Sequence, residues 1–340
     1  GMKPGGAAAP IFSLGVVLLA AMAFSLALGR YPLTLSDISE FVQASLGLRE
    51  LAPERYALLH NIIVDIRLPR VLAAALIGAA LAISGTAFQA IFRNPLVSPG
   101  ILGVLGGAGF GAAIGLLISG HWIVVQLLAF AMALLAVALG ILIANLFGPG
   151  TMVTLILGGI ISGALFTALL SIVKYTADPY NQLPAIVYWL MGSLQSIEMK
   201  HISVVTVPIL AGIVGLTLCG RVLDALSMGD DEARTLGVPV KAVRYGVIIA
   251  ATLISALSVS IAGIIGWIGL MIPNFSRLLF GPSNARLLPL SALLGALFLL
   301  CADCLARGVT TAEIPIGIVT ELLGIPAFIL VLGRTRRAWL

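Results

Sequence analysis

Few residues of this chain are equipped for chemistry, and those few point to contact rather than catalysis. Arg67 and Arg70 stand at i and i+3, on one face of a helix. From there two guanidinium groups can grip carboxylates, or simply reach for a polar interface. The densest charged stretch is 221–244, where Asp230, Asp231, Glu232 and Arg234 precede Leu236 and Gly237. Three acidic residues suit the positive end of a short helix, with Ser227 as its expected cap and Gly237 as its expected stop. Such a unit is either a solvated, capped loop or a docking element offered to a partner. Cys301 and Cys304 have the spacing of a metal or redox pair, but no second pair or histidine cluster accompanies them. They read as two small apolar residues one turn apart, with no disulfide. His60, His121 and His201 are far apart in the chain and read as interface residues. Lys174, Tyr175, Asp178 and Tyr180 form either an interfacial anchor or a contact for an anionic ligand. No Gly-x-x-x-x-Gly-Lys-Ser/Thr occurs, so no loop here cradles a phosphate in that way. Neither a metal-ligand cluster nor a nucleophile–base arrangement suggests an enzyme.

The elements that position these residues are set by hydropathy. From Asn94 to Val173, 80 consecutive residues contain no Asp, Glu, Lys or Arg. A water-soluble domain needs a charged surface, whereas a charge at mid-bilayer costs about 3 kcal/mol or more. About 20 residues span the hydrocarbon core, so the run must fold back, with turns expected at 120–122 and 148–150. The whole chain of 340 residues agrees: 60% hydrophobic, 10% charged, mean hydropathy +1.14. Its 38 glycines suit closely packed membrane helices. A net charge of +5 is too modest for nucleic acid binding. The expected fold is an all-α polytopic membrane protein, a single domain over 1–340. Its ten crossings fall near 10–29, 68–91, 98–118, 122–146, 153–173, 202–220, 244–262, 264–280, 287–306 and 316–333. A cleaved signal peptide is the alternative for the first span. With both termini cytoplasmic and 30–67 an extracytoplasmic loop, eleven Lys and Arg fall inside and eight outside, five of them between Arg30 and Arg70. Tyr31, Trp122, Tyr175, Tyr180 and Trp189 then gather at the outer interface. Ionisable residues within the crossings are sparse, chiefly Asp303 and Glu321, which argues against an ion-coupled secondary transporter or channel. Gly107, Gly111 and Gly115 share a helix face and read as close packing.

Several segments resemble one family in the right order. The run 229–238, Gly-Asp-Asp-Glu-Ala-Arg-Thr-Leu-Gly-Val, resembles the coupling segment of the FecCD/BtuC permeases. Arg67-Leu-Pro-Arg70, the run 78–85 and Asn94-Pro-Leu-Val-Ser-Pro-Gly100 resemble that family's second helix and following loop. The elements at 188–194, 266–273 and 313–317 complete the set, Asn274 standing where the family usually has His.

The resemblance implies the BtuC-like type II permease fold of an ABC importer in a bacterial or archaeal cytoplasmic (inner) membrane. It implies a homodimer, two cytoplasmic ATPase subunits that hold Mg-ATP, and an extracytoplasmic substrate-binding protein. No cofactor or metal is expected on this chain. Arg67, Arg70 and Arg307 match positions that offer arginines to glutamates of the binding protein, which calls for cations presented outward; interfacial snorkelling is the alternative for the first two. Asn94 and Leu96, with Met152 and Val153, match positions narrowing the cytoplasmic gate; turn chemistry and packing are the alternative. Asp230, Asp231, Glu232, Arg234, Leu236 and Gly237 would couple to the ATPase. The implied cargo is a metal chelate, iron–siderophore or haem first, with vitamin B12 and an oxyanion such as molybdate left open.

Overall fold

A computed structural model describes residues 8–29, 31–148, 151–309 and 312–335, without the side chains of residues 332, 334 and 335. Lys3, Arg30, Arg336 and Arg337 of the charge count, the side chain of Arg334 and the Pro149-Gly150 part of the second turn lie outside the described residues. Among the described residues seven helices are long and apolar enough to cross a bilayer, and three shorter apolar helices bring the set to ten. They are α1 (Ala8–Ala27), α4 (Leu68–Phe92), α5 (Val104–Ile118), α6 (Trp122–Leu146), α7 (Met152–Thr176), α9 (Met199–Leu218), α12 (Val240–Ala262), α13 (Ile268–Phe280), α14 (Asn284–Gly308) and α15 (Ile316–Thr335). Helices occupy all ten expected spans. Two start late for a local reason: a 3₁₀ turn at Pro99–Leu102 precedes α5, and an irregular stretch at Gly263–Trp267 precedes α13.

The extracytoplasmic loop expected at 30–67 is instead largely helical. It holds α2 (Leu35–Ser45), α3 (Pro53–His60) and a π-helical stretch (Asn61–Arg67) that runs straight into α4. Thr34 starts α2 with a capping box: its hydroxyl accepts from Asp37 N at 3.1 Å, and the Asp37 carboxylate accepts from Thr34 N at 2.8 Å. Leu33, Phe41, Leu59 and Ile63 bury a small core between these helices. A Thr-x-x-Asp pattern before an amphipathic run signals this helix within the polar segment.

The remaining short helices are α8 (Gln182–Leu190), α10 (Gly220–Met228) and α11 (Asp230–Thr235). At the centre stands α4, packed by α9, α12, α13 and α14. Its sequence is apolar or small on every side, as a helix without a lipid face requires. Gly78 lies against the carbonyl of Gly295 on α14, and Gly85 against that of Gly269 on α13, contacts that leave no room for a Cβ. Gly107, Gly111 and Gly115 do the same for α5 along α6. At the periphery α1 packs along α14, while α7 and α15 carry long exposed apolar faces.

Candidate functional site

The charged segment between α9 and α12 folds as a compact helical unit. Gly229, at φ 140°, separates α10 from α11, a conformation open to glycine alone. Ser227 is not the cap expected of it: it lies in the last turn of α10 and donates to the Asp224 carbonyl at 2.6 Å. A backbone break at Gly229 starts α11 without a side-chain cap. Gly237 does end it, through the paired bonds from Gly237 N to Arg234 O and from Val238 N to Ala233 O. Ala233 is buried beneath, while Asp231 and Leu236 face outward. Arg234 holds Asp231 at 2.9 Å, and the Glu232 carboxylate folds back over Gly229. Asp230 turns inward, to Arg244 at 2.7 Å and Arg93 at 3.7 Å. The hydrogen bond from Arg244, with Arg93 adding its charge, holds the Asp230 carboxyl below its ordinary range. This pair fixes α11 to the first turns of α12 and the end of α4.

Asp224 was missed in the sequence. Its carboxylate accepts from Ser283 Oγ at 3.0 Å and from the backbone of Asn284 at 2.6 Å, capping α14 from 60 residues away. Nothing local to Asp224 signals so distant a partner.

Close to this unit, α4 ends at Arg93, held in the left-handed region at φ 48°. Asn94 Oδ1 then accepts from Leu96 N at 2.9 Å, an Asx turn that exposes Leu96. The Pro95 carbonyl accepts from Asn274 Nδ2 at 2.9 Å. Arg277 donates to Asn274 Oδ1 at 3.0 Å and to Gln89 Oε1 at 3.2 Å. The atypical Asn274 therefore stitches α13 to the turn after α4. Thr151 caps α7, accepting from Thr154 N at 3.2 Å. Met152 is half-buried and Val153 exposed at the start of that helix. Met152 shares a cavity with Arg93 and Asp230, so both candidate gate segments adjoin the charged unit.

At the opposite end of the bundle the three arginines expected to face outward are turned inward. Arg67 donates to the carbonyls of Leu26 and Ala27 at 2.7 and 2.9 Å, and Arg307 to Leu28 O at 3.1 Å and Ser25 Oγ at 2.6 Å. Arg70 binds Asp303 at 2.8 Å and Glu313 at 2.7 Å, and Arg307 reaches the second Asp303 oxygen at 3.0 Å. Arg67 and Arg70 are only 5% and 8% exposed, and Asp303 is fully buried. The physical reason is supply: the last carbonyls of α1 have no intrahelical partners, and two carboxylates on α14 and before α15 face the same point. A cavity of about 240 Å³ adjoins the three arginines.

Three motifs far apart in sequence meet at a third place. Ser193 N donates to Ala262 O at 2.8 Å, while Ile316 N and Gly317 N, both at 3.1 Å, donate to the carbonyls of Gly192 and Met191. The end of the Trp189-x-x-Gly192 element, the last residue of α12 and the start of α15 thus satisfy each other's backbone groups beside the irregular 263–267 stretch. In a bilayer such backbone survives only where protein or an aqueous path surrounds it. Trp267 sits here at φ 69°, rare for a bulky residue, with its ring edge-on to Phe328 at 6.0 Å. Beside it on α15, Glu321 is exposed, and its carboxylate lies close to Gly266. Among the described residues Glu321 has no hydrogen-bond or ion-pair partner.

His121 caps α6 through Nδ1, and His201 closes a capping box with Glu198 at the head of α9. Tyr175 and Tyr180 are exposed, as an interfacial anchor would be. Cys219, Cys301 and Cys304 are free thiols, and no group of three metal-ligating side chains forms among the described residues.

The FecCD transport family matches residues 17–334. The molybdate import system permease protein MolB of Haemophilus influenzae is 37% identical, covering 99% of this chain and 98% of its own length. The vitamin B12 import system permease protein BtuC of Vibrio cholerae is 39% identical over 81% of this chain and 83% of its own. A solved ABC transporter of proposed metal-chelate type, in an inward-facing conformation, has TM-score 0.85 at 35% identity, covering 95% of this chain and 98% of that one.

Proposed function

The chain belongs to the FecCD transport family and is the permease subunit of an ABC importer, and we propose that its cargo is a metal chelate that passes along the exposed faces of α7 and α15. Glu321 carries this reading. A lone carboxylate about 8 Å along a membrane-spanning helix is costly to hold against lipid. Its face therefore borders an aqueous path or a second copy of the chain, which supports the homodimer with a central pathway. Exposed Ala164, Thr167, Ala168 and Ser171 give α7 a small, mildly polar face of the same kind. From Thr154 to Val173, and from Ile318 to Leu330, these helices hold no Lys or Arg. A doubly negative oxyanion would meet Glu321 with no compensating cation, whereas a bulky neutral or cationic chelate would not. The near full-length likeness to a molybdate permease favours the second reading, an oxyanion cargo.

In this assignment the α11 end is cytoplasmic, together with both termini, and the membrane is the bacterial or archaeal inner membrane. Two ATPase subunits bind Mg-ATP and engage α11 through Asp231, Glu232, Arg234 and Leu236. Asp230 and Gly237 shape the element, and its tie to Arg93 and Arg244 passes movement to the gate at Asn94, Leu96, Met152 and Val153. A binding protein docks at the α2 end. Since Arg67, Arg70 and Arg307 are already paired, its carboxylates would enter the adjoining cavity and exchange with Asp303 or Glu313 rather than meet free cations. Family membership sets aside the ion-coupled transporter.

The test is uptake into liposomes holding the permease, the ATPase and the loaded binding protein. Ferric siderophore, haem, cobalamin and molybdate are compared. We expect ATP-driven uptake of a chelate, and Glu321→Arg to suppress it. Uptake of molybdate alone, improved by Glu321→Arg, would establish the oxyanion instead.

A further inference from the structure

The end assigned to the cytoplasm holds a cavity of about 520 Å³ lined largely by cations, of which the coupling and gating roles leave Lys241 without a task. Arg93 from the end of α4, Arg234 from α11, and Lys241 and Arg244 from the first turns of α12 line it. Asp230 is the one carboxylate among the lining residues. Asp231 neutralises Arg234 from outside, and Glu232 is folded over Gly229, so four cations face at most two effective carboxylates. Lys241 is exposed and makes no ion pair among the described residues. Thr151 and Tyr245 add hydroxyl groups. Several mobile-proton donors and fixed cations around one space suit a tetrahedral, multiply acceptor-bearing anion better than a carboxylate.

We infer that this cavity binds a phosphate group. Two sources offer that chemistry: the headgroup of an acidic phospholipid, or a free phosphate anion. The surroundings favour the lipid. The cavity lies where α4, α6, α7 and α12 leave the bilayer, and basic pockets between membrane helices on the cytoplasmic side hold anionic headgroups. Asn145 lines it, and the next two residues, Leu146 and Phe147, are 74% and 77% exposed. A phosphate seated among the cations leaves its acyl chains beside that apolar edge. Because Met152 shares the cavity, a bound phosphate would bridge the start of α7 to the tie between α11 and α12.

The full-length chain in nanodiscs of phosphatidylcholine, with or without one-third phosphatidylglycerol, provides the test. Lipid retention is read by native mass spectrometry and stability by thermal midpoint, for wild type, Lys241→Gln, Arg93→Gln with Lys241→Gln, and Lys200→Gln at the opposite end. Phosphatidylglycerol is expected to be retained and to raise the midpoint of wild type and Lys200→Gln. Each charge removed at the cavity should cut retention about tenfold, the size of one hydrogen bond to a charged group. Lys241→Arg should restore retention, and equal midpoints in phosphatidylcholine alone certify folding of the variants. If inorganic phosphate instead raises the midpoint in phosphatidylcholine and displaces phosphatidylglycerol, the source is the soluble anion and the site stands. If neither probe affects wild type, or the cavity variants respond as wild type does, the inference is overturned. Neither readout needs cargo or transport, so failed uptake leaves this result untouched.

Discussion

The two ends of this bundle carry the same kinds of charged residue and use them in opposite ways. At the α2 end Arg67, Arg70, Arg307, Asp303 and Glu313 are drawn into one buried cluster that binds α1, α4, α14 and the approach to α15. At the α11 end Arg93, Arg234 and Lys241 remain exposed around an open cavity, with Asp231 exposed outside it. What separates them is the supply of acceptors. Where unpaired helix-end carbonyls and carboxylates converge, guanidinium groups become part of the scaffold; where they do not, charge stays available to a partner.

That contrast can be broken most sharply at Asp303. Asp303→Ala leaves Arg307 without a carboxylate and Arg70 with Glu313 alone, and removing one member of a buried pair costs about 3–5 kcal/mol. The thermal midpoint in detergent should fall steeply; an unchanged midpoint would show that the cluster is not structural. A smaller loss is expected from Asp224→Ala, which uncaps α14 and costs about 1–2 kcal/mol by the same measurement. It would show that the α11 end, besides Asp230, uses a second carboxylate for structure. Asp231→Ala should be nearly silent in stability, within about 0.5 kcal/mol, because an exposed pair contributes little. Its effect belongs in ATP-driven uptake, which should drop if α11 meets the ATPase; wild-type uptake would remove Asp231 from the coupling surface. Smallest of all is the response to added salt, where screening should leave the α2 end intact and loosen the tie between Arg93 and Asp230. Hydrogen exchange across 229–238 and across 303–309 would read the two ends separately.

Much of the architecture was legible because lipid penalises charge so heavily. The spans of α1, α6 and α7 follow directly from uncharged runs, and Gly237 announced the end of α11 by its type and place. The misreadings share a cause. Ser227 looked like a cap, but the break fell at Gly229 because only glycine tolerates the backbone required there. The stretch 30–67 looked like a loop because its polarity outweighed the Thr34–Asp37 signal. Arg67, Arg70 and Arg307 looked outward-facing because their acceptors, on α1, α14 and before α15, lie up to 282 residues away in the chain.

By itself, then, the sequence determined that this chain crosses the membrane about ten times and which family's motifs it carries. Hydropathy and local turn chemistry act over a few residues and need no partner to be read. Tertiary structure alone decided which charges are consumed and which stay exposed, how three distant motifs pair their backbone, and that Glu321 stands on an exposed face without a partner among the described residues. Each of those outcomes depends on which groups packing brings within hydrogen-bonding reach, and packing joins residues that no local pattern connects.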